Sequence, residues 1–110
     1  MYKENYDFPA IIINHSSDDY EIRIYDFKEV TVYDDNLDDC YSAIQEALEG
    51  EIYKYICLNK EIPKATSIEE ISLDYNQTLF NIKININKIK FLIIITSIIL
   101  CYKIEKSIIN

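Results

Sequence analysis

Hydrophobic and polar positions change period along this chain, and the changes predict its elements. Residues 8–14 form a short apolar run containing three consecutive isoleucines, read as a strand that Pro9 suits at a start or an edge. Residues 15–19 are polar and read as a turn. Tyr20, Ile22 and Ile24 then alternate with Glu21, Arg23 and Tyr25, the period-two pattern of a strand with one buried face. Residues 26–29 read as a connector, and Val30, Thr31, Val32 and Tyr33 as a third strand of β-branched and aromatic residues.

From residue 37 the period lengthens. Leu37, Cys40, Tyr41, Ile44, Ala47, Leu48 and Tyr55 recur at helical spacing and make one apolar stripe, which predicts a helix over residues 37–58. Leu37, Tyr41, Ile44 and Leu48 are its expected core residues. Asn36 is the expected N-cap, with Asp38 and Asp39 in the first turn, where the helix dipole favours negative charge. Gly50 is expected to weaken the helix, and Lys60 and Pro63 mark its exit. Residues 62–74 read as a covering segment with a short turn at 67–71, followed by a polar turn at 74–77. Residues 78–86 alternate again, Phe80, Ile82, Ile84 and Ile86 against Asn81, Lys83 and Asn85. The expected fold class is α+β in the order β-β-β-α-β, an antiparallel-rich sheet with one main helix on one face.

The division is residues 1–86 as the folded domain and 87–110 as an apolar C-terminal tail. Residues 91–102 are almost uninterrupted apolar sequence between Lys88, Lys90, Lys103 and Lys106. As a helix this stretch is about 18 Å long, against about 30 Å of bilayer hydrocarbon, so a membrane span is marginal. A strand pair, a helix capping the open sheet face, and a tail produced by a frame change stand as further readings.

Charge narrows the function classes. Residues 1–81 hold 18 acids and 6 bases, net −12; residues 82–110 hold 1 acid and 5 bases, net +4. The body is therefore expected to repel nucleic acid and attract a basic partner. With 1 glycine in the chain, glycine-rich phosphate loops are excluded. Cys40, Cys57 and Cys101 form no C-x-x-C pair, so they read as buried thiols in a reducing cytosol rather than a zinc site. No secretory signal is read at the N-terminus, so a cytoplasmic location is expected. The cluster Asp34, Asp35, Asp38 and Asp39 fails as a calcium loop, lacking Gly at the sixth position and an acid at the twelfth. No metal, cofactor or catalytic residue is assigned. The cluster reads as a charged helix start that also steers a basic partner. His15 reads as an exposed turn residue, and the tyrosines on the helix as core or core-edge. Lys83, Asn85 and Asn87 share a strand face that could contact DNA, a reading ranked below a plain sheet strand because no amphipathic helix pair follows.

Between residues 8 and 86 the chain resembles the N-terminal domain of HicB-type antitoxins. The resemblance runs through Phe8-Pro9-Ala10-Ile11, then Tyr20, Ile22 and Ile24, then the connector Tyr25-Asp26-Phe27-Lys28-Glu29-Val30. It continues through Asp34-Asp35-Asn36-Leu37-Asp38-Asp39-Cys40, Gln45-Glu46-Ala47-Leu48, Ile62-Pro63-Lys64-Ala65-Thr66-Ser67 and the closing strand. Lys28 and Glu29 depart from the family's proline and glycine. The resemblance implies a partial RNase H-like fold without catalytic carboxylates. It implies an antitoxin that binds and silences a HicA-type toxin, a small basic ribonuclease that cleaves mRNA. Asp26, Asp34, Asp35, Asp38 and Asp39 are the expected partner-binding residues. Family members usually add a C-terminal DNA-binding module, through which they dimerise and repress their own operon; nothing in residues 87–110 looks like one. Three alternatives remain: a membrane-attached protein anchored by residues 89–104, a DNA-binding autorepressor, and a carboxylate-metal enzyme.

Overall fold

The computed structural model describes residues 4–86 and Thr96; the readings placed on the tail fall outside the described residues. Elements run β1 (Asn5–Ser16), β2 (Asp19–Ile24), β3 (Phe27–Asp34), α1 (Leu37–Cys57), a single 3-10 turn (Ile68–Glu70) and β4 (Gln77–Asn85). The four strands form one sheet in the order β3-β2-β1-β4, every pair antiparallel. The expected β-β-β-α-β order and one-sided helix are therefore observed.

Period-two alternation sorts the strands into two faces. Register places Ala10 opposite Ile24, Ile12 opposite Ile22, and Phe8 opposite Ile82, so these share the face that meets α1. Cys40, Ile44, Leu48 and Ile52 of α1 close this core, each fully buried. Phe27 anchors one end, edge-on to Phe8 (5.0 Å between centroids) and to Tyr55 (5.4 Å).

Several features differ from the expectations above. The 26–29 connector is instead a two-residue turn, Tyr25-Asp26, after which Phe27 already pairs with Ile24. A register shift between Arg23 and Ile24 accommodates the tight link. β1 starts at Asn5, three residues before the expected start, and runs two residues beyond Asn14, so His15 is a strand residue. The helix runs through Gly50 without a break. It ends where Asn59 adopts φ 55°. There the Asn59 N–H donates to the Ile56 carbonyl (3.1 Å) and the Lys60 N–H to that of Tyr55 (2.8 Å), a Schellman closure.

Two of the four residues expected in the helix core are not buried. Ile44 and Leu48 are, but Leu37 and Tyr41 keep 39% and 40% of their surface. Ala47 is also exposed, while Ile52 and Tyr53 are buried. Periodicity gives the phase of a stripe but not where the opposing surface stops.

Candidate functional site

The start of α1 is built by short-range hydrogen bonds. Asp34 Oδ1 accepts from the Asn36 N–H (3.0 Å), and Asn36 Oδ1 accepts from the Asp39 N–H (3.0 Å). Asn36 is thus the N-cap that the sequence predicted. The Asn36 N–H bond, with a further one from Asp35, holds the Asp34 carboxyl below its ordinary range. Asp35, Asp38 and Asp39 are exposed beside it, and no lysine or arginine occurs between residues 28 and 54. Among the described residues none of these four carboxylates, gathered at the positive end of the helix dipole, is ion-paired with a lysine or arginine.

Asp26, the fifth expected partner-binding acid, is placed elsewhere. It sits in the β2–β3 turn, half-buried. Its carboxylate accepts from the Thr66 N–H (Oδ2, 3.0 Å) and hydroxyl (Oδ1, 2.5 Å). The structure thus joins four of the five acids and gives Asp26 a tie to the segment after the helix.

The helix-free face of the sheet carries the opposite residues of each strand. Glu21 lies on it and is only 3% exposed, though its alternation pattern placed it on a polar face. Arg23 donates to Glu21 Oε2 (2.5 Å) and His15 Nε2 to Oε1 (2.8 Å). Burial by itself raises the Glu21 carboxyl; the His15 and Arg23 hydrogen bonds and charges outweigh it, leaving the group below its ordinary value. Beside this network a shallow groove is lined by Ile11, Arg23, Tyr25, Lys28, Thr31 and Tyr33. Its charges are of both signs, since Asp26 and Glu29 also line it. Lys83 and Asn85 of β4 lie on this same face by register, and Asn85 donates to Asn5 Oδ1 (2.8 Å). Asn87 falls outside the described residues.

Among the described residues no three His, Cys, Asp or Glu side chains converge as metal ligands do. Burial raises the Cys40 thiol, with the Asp34 charge adding to the effect, and Cys40 Sγ points to the Val32 carbonyl (3.6 Å). Cys57 is exposed, not buried as the cysteine count suggested. No helix of the described residues is long and apolar enough to cross a membrane.

Comparison with known proteins agrees with this architecture. No family model matches the chain, and no curated protein matches it. Among solved structures it is similar to the N-terminal domain of the Burkholderia pseudomallei antitoxin HicB. That likeness has a TM-score of 0.64 at 16% identity and covers 74% of this chain and 100% of that domain. The Burkholderia pseudomallei antitoxin HicB is also similar, with a TM-score of 0.58 at 16% identity over 76% of this chain. This chain spans 64% of the length of that protein. The chain therefore has the fold of the HicB N-terminal domain, as its residue pattern predicted.

Proposed function

We propose that this chain is the antitoxin of a toxin–antitoxin pair, a non-catalytic module that occludes a small basic ribonuclease of the HicA type. The observation that carries the reading is the match to the whole length of a HicB antitoxin domain. The charge supports it: a body of net −12 favours a cationic partner over nucleic acid. Asp34, Asp35, Asp38 and Asp39 are the partner-facing acids of this reading. Asp35, Asp38 and Asp39 lie exposed, and Asp34 half-buried, at a helix end fixed by its cap. Asp26, the fifth acid of this reading, also holds the segment after the helix through Thr66. The site of action is the cytoplasm, where such a partner meets mRNA.

Co-expression with the small protein encoded beside this chain tests the proposal. The expected result is copurification in fixed stoichiometry with a short, basic protein of strand–helix pattern. A neighbouring product that is acidic, or that does not copurify, contradicts it.

A further inference from the structure

Leu37 and Tyr41 lie one turn apart on α1 and share a face. Both belong to the apolar stripe, yet each keeps about two fifths of its surface open. The Tyr41 ring rests on Phe80 of β4, with centroids 5.4 Å apart and planes 30° from parallel. Phe80 is itself only half-buried. The three make an apolar shelf at the N-terminal end of α1, where the helix reaches across to β4. Other exposed apolar residues, such as Leu58, Ile68 and Tyr75, lie on the segment after the helix.

The shelf borders the acidic helix start. Asp38 is adjacent to Leu37, and Asp34 and Asp35 precede it by less than one turn. An apolar centre with a one-signed rim has the make-up of a protein-binding surface, in which anchors supply affinity and charge supplies rate and selectivity. The groove on the opposite face, with Lys28 and Arg23 among its lining, has no such sign.

We propose that Leu37, Tyr41 and Phe80 receive an amphipathic basic segment of the partner. An apolar side chain of that segment covers the Tyr41–Phe80 stack, and its lysines or arginines meet Asp34, Asp35 and Asp38. The inference rests on the antitoxin reading for the partner's identity. It adds the face and the chemistry of contact.

The test is calorimetric and kinetic binding of the full chain to the small basic protein encoded beside it. Tyr41→Ala is expected to weaken binding by about tenfold or more, as truncating an interface aromatic does. Leu37→Ser, at a residue outside the core, is expected to weaken it severalfold while lowering the melting temperature by only about a few degrees. D35N/D38N is expected to slow association and flatten its salt dependence. Tyr33→Ser, on the helix-free face, is expected to bind within about twofold of the unsubstituted chain. Unchanged binding by Leu37→Ser and Tyr41→Ala, with loss in Tyr33→Ser, overturns the shelf and leaves the antitoxin reading standing. Absence of binding by the unsubstituted chain overturns both.

Discussion

Asp26 and Thr66 are joined across 40 residues of sequence by two hydrogen bonds to one carboxylate. They tie the β2–β3 turn to the chain leaving the helix, so the loop after α1 is held against the sheet. A carboxylate bond of this kind contributes about 1.5–3 kcal/mol. Asp26→Ala is expected to lower unfolding free energy in urea by about 2 kcal/mol, with Thr66→Val close behind. The double variant should fall well short of the sum, because both changes break one interaction. Full additivity would mean that the two residues act separately.

Leu48 and Leu37 separate folding from binding. Leu48 is fully buried, and Leu48→Ala is expected to cost about 2–5 kcal/mol in a denaturant melt. Leu37 is 39% exposed, and Leu37→Ala is expected to cost under about 1 kcal/mol. Equal costs would place Leu37 in the core and remove it from the apolar shelf.

Gly50 lies inside the helix, and a Cβ built there meets nothing within 4 Å. Gly50→Ala is therefore expected to stabilise the protein by about 1 kcal/mol, the propensity difference between the two residues. A lower melting temperature for the variant would contradict this.

Much of this fold is legible in the sequence because its signals are local. The alternation of Tyr20, Ile22 and Ile24 gives β2, and Asn36 before the stripe gives the helix start. The misses come from absent local signals and from contacts distant in sequence. The Tyr25-Asp26 turn carries no glycine, so nothing in the sequence separates a tight turn from a longer connector. Asn59 in the left-handed region closes the helix, a role glycine would have announced. Asp26 reads as one more surface acid, since no local pattern reports a partner 40 residues away. The Glu21–Arg23 pairing was accessible, because residues two apart in a strand share a face. The burial of Glu21 was not.

Glu21 ties stability to pH. Its carboxyl sits below its ordinary value of 4.5 when folded, so the unfolded chain binds the proton more readily. The stability this supplies is complete above the unfolded value and is lost as pH falls from about 4.5 through the lower folded value. Glu21→Gln is expected to flatten that part of the stability–pH profile, measured by urea melts between about pH 6 and 3. An acid limb unchanged in Glu21→Gln would assign the dependence to other carboxylates.

The most direct measurement is RNA cleavage by the small basic protein encoded beside this chain, assayed across a titration with the chain. The account predicts that cleavage stops at stoichiometric addition, and that the chain alone leaves RNA intact with or without magnesium. Cleavage that continues at saturating chain, or RNA degradation by the chain alone, would contradict it.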